Sequence, residues 1–328
     1  MRDGVRSVNR RQAPTGAAAM ALMLCLLPAA AAGQPGNARE RAAKAPLAVS
    51  SLLLDAAVRD GLMVAVGERG HILISTDSGR SWRQAEVETR ALLTGVFMHD
   101  ARLGWAVGHD EVVVRTRDGG LTWERVHNAP ENEKPLLDVW FADARAGLAV
   151  GAYGGLLATS DGGDTWAPRT VHGGDDFHLN QIAAAADGTL FLAGEAGHLY
   201  RSDDKGATWQ PLPSPYDGSF FGLLPVQGGA LLAFGLRGHL YRSPDGGRTW
   251  TPIATGTEET LTCALDLGSG RFVVGGMAGT LLWSDETGAA VRKQDLPDRK
   301  AIAALAQAGP GALLLFGEGG VRRVEIPR

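Results

Sequence analysis

The stretch GLRGHLYRSPDGGRTW, Gly235–Trp250, joins a Gly-x-x-Gly pair to a short apolar run and then to Ser-x-Asp-x-Gly-x-Thr-Trp. Met once, such glycines would read as a loop cradling phosphate. The stretch recurs, however. Aligned on its first glycine, GERGHILISTDSGRSW begins at Gly67, GHDEVVVRTRDGGLTW at Gly108, GAYGGLLATSDGGDTW at Gly151 and GEAGHLYRSDDKGATW at Gly194. GMAGTLLWSDETGAAV follows at Gly276 and GEGGVRRVEIPR at Gly317. The intervals are 41, 43, 43, 41, 41 and 41 residues. Seven copies at a near-constant period specify a repeat architecture, and each copy is scaffold.

Each unit holds four strand-like runs. In the second these are LLTGVFMHD, LGWAVGHD, EVVVRTRD and WERVH, divided by Gly- or Asp-containing turns. Four short antiparallel strands in about 42 residues make one propeller blade. In the first five copies an aspartate falls ten residues after the first glycine (Asp77, Asp118, Asp161, Asp204, Asp245), and a tryptophan at fifteen (Trp82, Trp123, Trp166, Trp209, Trp250). The sixth copy keeps an acid, Glu286, and Gly288, with Val291 in place of tryptophan. An aspartate there accepts hydrogen bonds from turn N–H groups, the glycine supplies positive φ, and the indole packs between neighbouring sheets. These ten residues are therefore assigned to structure.

Ser/Thr-x-Asp-x-Gly-x-Thr/Ser-Trp resembles the Asp-box, or bacterial neuraminidase repeat. Its regular use over Leu52–Glu325 resembles the photosystem II stability/assembly factor family and its periplasmic relatives. The resemblance implies an all-β, seven-bladed propeller that binds a membrane protein, or an exported segment of one, without catalysis. Only eight residues follow Gly320, too few for a fourth strand. Residues Ala45–Ser50 are expected to supply it, closing the ring with an N-terminal strand.

The chain's opening differs from the rest. MRDGVRSVNRRQ carries four arginines, AAAMALMLCLLPAAAA is apolar, and small residues lie at Ala30–Ala32. This is the pattern of a secretory signal over residues 1–32, with residues 33–44 a flexible lead-in and 45–328 one propeller domain. The expected location is periplasmic, with no stable membrane insertion once the signal is removed and a monomeric state; an uncleaved anchor is the alternative. Of 32 basic and 36 acidic residues the signal takes four arginines and one aspartate, leaving a charge of −7, which excludes nucleic acid as a natural partner. Cys25 leaves with it, so Cys263 has no disulfide partner within the chain.

Blade-to-blade connections and Gly-x-x-Gly turns share one face, the expected binding face. Arg90, Lys134, Asp138, His178, Asn180, Phe220 and Phe221 start the inner strands or lie beside them and form the candidate site around the central funnel. The His172, Asp175, Asp176 and His178 loop lacks the spacing of a metal site, and no metal or cofactor is expected. Arg115, Arg201 and Arg242 recur at one offset, either as a stripe between blades or as a partner surface. Sialidase chemistry needs a tyrosine beside a glutamate and an arginine triad; the four tyrosines offer no such pairing. A glycan-binding or glycosidase-like Asp-box propeller stays as the alternative function.

Overall fold

A computed structural model of the protein describes residues 40–171, 173, 176–309 and 311–327. The signal, and the lead-in as far as residue 39, lie outside the described residues. No described helix is long and apolar enough to cross a membrane.

Seven antiparallel sheets follow one another as blades 1–7 of a β-propeller. Their inner strands are Leu53–Arg59, Leu93–Met98, Leu136–Phe141, Leu179–Ala184, Phe220–Pro225, Leu261–Gly268 and Ile302–Gln307. Second strands such as Leu62–Gly67 and Leu231–Gly235 are buried along their whole length, because each lies between two neighbouring sheets. Outer strands such as Ala167–Arg169 are exposed. Blade 2 gains a fifth strand, Glu86–Val87, pairing parallel to Thr122–His127.

The two glycines of each Gly-x-x-Gly do different work. Gly235 is extended, but a Cβ there would lie 2.2 Å from the Ser219 carbonyl, which accepts the Leu236 N–H at 3.1 Å. Gly238 has φ +70°, the left-handed region that glycine enters without steric cost.

The box turns form as the sequence predicts. Asp245 accepts the Thr249 N–H at 2.9 Å and its hydroxyl at 2.7 Å, while Ser243 Oγ accepts the Gly247 N–H at 2.7 Å. The Thr249 and Ser243 hydroxyls and the Thr249 N–H hold the Asp245 carboxyl down at about 2. Trp250 packs against the core between blades 4 and 5. In the sixth turn the acid that accepts is Asp285, from Thr287 and Ala289, and not Glu286.

Every inner strand has a bulge after its first residue. The bulges aim polar side chains at the next blade. Thr94, Asn180 and Thr262 donate to the Leu136, Phe220 and Ile302 carbonyls. Asp55, Asp138 and Gln181 accept the Val96, Ile182 and Leu223 N–H groups, each at 2.8 Å.

The expected closing strand is not formed. Among the described residues blade 7 has three strands, Ile302–Gln307, Ala312–Gly317 and Gly320–Glu325. Residues 41–50 instead cross the outer side of blade 1. The Ala42 N–H bonds Val87 O, Lys44 Nζ bonds the Gln84 and Ala85 carbonyls, and Ala48–Ser50 makes a 3₁₀ turn against Gly320. Lys44 is occupied by the outer strand of blade 1, and Pro46 has no N–H to give a ladder, so the segment cannot run along blade 7. Side chains close the ring: Leu53, Ala65 and Leu73 of blade 1 pack on Ala304, Leu314 and Phe316 of blade 7. Trp82 meets Phe316 edge-on at 5.8 Å, and Arg323 donates to Ser78 O.

Candidate functional site

The two intervals of 43 residues place their extra length in the connections after His127 and after Arg169, and described residues of both, Asn132 and Lys134 in the first and Thr170, Val171 and Phe177 in the second, line one cleft on the Gly-x-x-Gly face. The cleft has a volume of about 600 Å³, within the range of small-ligand and peptide sites. Leu136, Leu156, Leu157, Pro168, Leu179 and Tyr200 give it apolar walls, with Lys134 and Arg169 at its rim.

Its floor begins with a departure from the repeat. Where the other six blades have a left-handed glycine, blade 2 has Glu111 at φ 51°, directly after Asp110 at φ 61°. Two consecutive left-handed non-glycine residues cost about 1–2 kcal/mol each. The buried Glu111 carboxylate accepts from Asn132 Nδ2 at 3.0 Å and lies 3.0 Å from His127 Nε2. It thus ties the turn Pro130–Asn132 to blade 2, and that turn is one wall of the cleft.

Tyr153 and Phe177 frame the mouth and are 50 % and 36 % exposed. Tyr153 sits left-handed (φ 54°) in the hairpin of blade 3, and the Gly154 N–H bonds Phe177 O at 2.9 Å, joining the two turns. The Tyr153 ring meets His178 edge-on at 5.0 Å, and His178 Nδ1 pairs with Glu195 at 3.0 Å. Phe177 stacks on His198 at 4.2 Å. The aromatic mouth is therefore held from behind by histidines.

The sequence-derived candidates do not converge. Lys134 lines the cleft, and His178 positions Tyr153 without lining it. Arg90 is exposed and donates to Arg41 O, away from both. Asp138 is corrected from a funnel ligand to an inter-blade clamp: it is half-buried, and both oxygens accept main-chain N–H groups. Asn180 likewise bonds the next blade. Phe220 is corrected to core, being fully buried between blades 4 and 5, with Phe221 half-buried beside it. His172 and Asp175 lie outside the described residues, and no metal-holding group of three is present among the rest.

Burial raises Asp55 to about 7 and Asp138, which also feels Asp55, to about 8. Burial pushes the Cys263 thiol up to about 12. The Arg stripe resolves toward structure. Arg115 donates to Gly162 O and Asp164 in the box turn of blade 3, and Arg201 pairs with Asp203.

Residues 128–261, which include blades 3–5 and much of the cleft, match the family model of the photosynthesis system II assembly factor YCF48. By repeat and by fold, the chain resembles the photosystem II assembly factor propellers. The structure of YCF48 bound to D1 peptide superposes on this propeller with a TM-score of 0.70, at 16% identity, covering 90% of this chain and 99% of that one. YCF48 from Cyanidioschyzon merolae gives 0.69 at 16% identity, over 86% and 97% of the two chains. The WD40 propeller of Doa1 gives 0.66 at 12% identity, over 87% and 95%. No curated protein sequence matches the chain.

Proposed function

We propose that this chain is an exported, periplasmic, monomeric and non-catalytic propeller that holds a segment of a membrane protein during assembly, and that the cleft between blades 3 and 4 is where it does so. The observation that carries the reading is the exposed pair Tyr153 and Phe177 at the mouth of an apolar cleft whose wall is pinned by a strained Glu111. Strain persists where the surroundings over-determine a conformation, often at binding sites. An extended apolar segment fits the walls, and an acidic residue beside it would meet Lys134 and Arg169. The peptide-bound state of the YCF48 propeller supports a peptide as ligand class. The partner's own complex, photosynthetic or another envelope assembly, is set by the cell that makes it.

The test is a photo-crosslinking amino acid placed at Tyr153, with Val58 on the opposite, first-to-second-strand turn face as control. The reading expects an integral membrane protein joined at Tyr153 and not at Val58, with the adduct lost when Glu111 becomes glycine. Equal adducts from both positions, or soluble partners alone, would refute it.

A further inference from the structure

The geometry points to a second docking place, separate from the cleft: the outer edge of Gly320–Glu325 in blade 7, which takes an extended segment of a partner polypeptide as the blade's fourth strand. In each of the other blades the third strand is covered by a further strand; among the described residues this one pairs only with Ala312–Gly317. The sister blades supply the template. In blade 1 the Ile72 carbonyl takes the Ala85 N–H, and Ile74 pairs with Arg83, antiparallel.

The register of blade 7 shows which groups are offered. Its hairpin pairs Gly317 with Gly320, one residue tighter than in blade 1, so Val321, Arg322 and Arg323 stand where Ile72, Leu73 and Ile74 stand. The Ile326 N–H bonds Gly311 O, so by the antiparallel alternation Arg322 and Val324 turn their main-chain groups inward. The N–H and C=O groups of Val321, Arg323 and Glu325 then face outward. Such a row is a template for an added strand.

Arginines often blunt an edge, but these two are turned away from it. Arg322 grips Asp298 through both its oxygens, at 3.0 and 2.9 Å, and the Ala301 carbonyl; Arg323 reaches across to Ser78 O. The described arm of this chain that reaches blade 7 stops at its hairpin, with Ala48–Ser50 against Gly320, and its earlier residues lie beside blade 2. Val324 and Ile326 are half-buried on the blade 6 side, so an incoming strand with apolar residues at alternate positions covers them. Outer strands in the sister blades are exposed, so main-chain bonds dominate recognition and the sequence requirement is loose.

The test uses the full-length protein and a labelled, end-capped ten-residue peptide of alternating threonine and valine. Expected are fast hydrogen exchange at the Val321, Arg323 and Glu325 amides, slowed at least tenfold by the peptide. Arg323→Pro, which lacks the outward N–H, should bind at least tenfold more weakly than Arg323→Ala, which keeps it. Unchanged slow exchange at Leu313 and Leu315 checks that the Pro variant keeps its blade. Slow exchange at the edge in the free monomer would overturn the proposal in favour of the chain's own upstream residues. Protection that grows with protein concentration would overturn it in favour of a second copy, and equal affinity of the two variants would overturn it outright.

Discussion

Replacing Arg115 with methionine separates an inter-blade latch from a partner-binding residue. The guanidinium is 6% exposed and donates to Gly162 O at 2.8 Å, Asp164 at 2.7 Å and Glu124 at 2.7 Å. Both carboxylates are about half exposed, so each pair contributes at most about 1 kcal/mol. The bond to Gly162 is buried and charge-assisted, worth about 1.5–3 kcal/mol. Its carbonyl is not orphaned by the change, because Trp105 Nε1 also donates to it at 2.9 Å. Methionine retains the apolar stem. The expected loss is therefore about 2–4 kcal/mol, read as a lower urea midpoint by tryptophan fluorescence. Arg242, at the same offset in blade 5, has no ion pair among the described residues, and Arg242→Met should cost below about 0.5 kcal/mol. If Arg115→Met unfolds like wild type yet loses partner binding, the latch argument is wrong and the partner reading of the stripe is right.

Asp55 and Asp138, raised to about 7 and 8, favour the fold when protonated. Their contribution is full below the unfolded value near 4 and is lost as pH rises through 7 and 8. Urea midpoints should thus fall between pH 5 and 9, and a slope unchanged in Asp138→Asn would count against this. The box aspartates act oppositely: Asp204 and Asp245, held at about 2, support the fold above pH 4 and lose that support as pH falls toward 2. Gly235→Ala, which would put a Cβ 2.2 Å from Ser219 O, should cost about 3 kcal/mol or more. Gly228→Ala, left-handed but in open space, should cost about 1 kcal/mol, and similar midpoints for the two would refute the close-approach argument. Glu111→Gly relieves a left-handed residue but removes two buried bonds, so stability should change by about 1 kcal/mol while crosslinking at Tyr153 fails.

The propeller was legible because its turn chemistry is local and repeats: Asp245 caps a turn three to four residues on, and Gly235 meets a carbonyl in its own blade. The site was less so. Asp138 and Phe220 lie near the funnel in sequence terms, but a bulge in each inner strand decides which side chains turn toward the neighbouring blade, and no residue type announces that bulge. The cleft did leave a trace, in the two longer intervals and in a glutamate where the repeat asks for glycine. The missing closing strand turned on Lys44 and Gln84, forty residues apart, a contact that only the folded chain brings together.

The joint between blades 7 and 1 has a mechanical consequence. Arg323 reaches the box turn of blade 1 as Arg115 reaches that of blade 3, so the last joint is built from the same parts as an internal one. Yet among the described residues no shared strand ties the two ends of the propeller into one sheet there. Pulling on those ends would meet side-chain packing in place of a ladder loaded in shear, and the ring would part first at this seam, blade 7 peeling away while the other joints still hold.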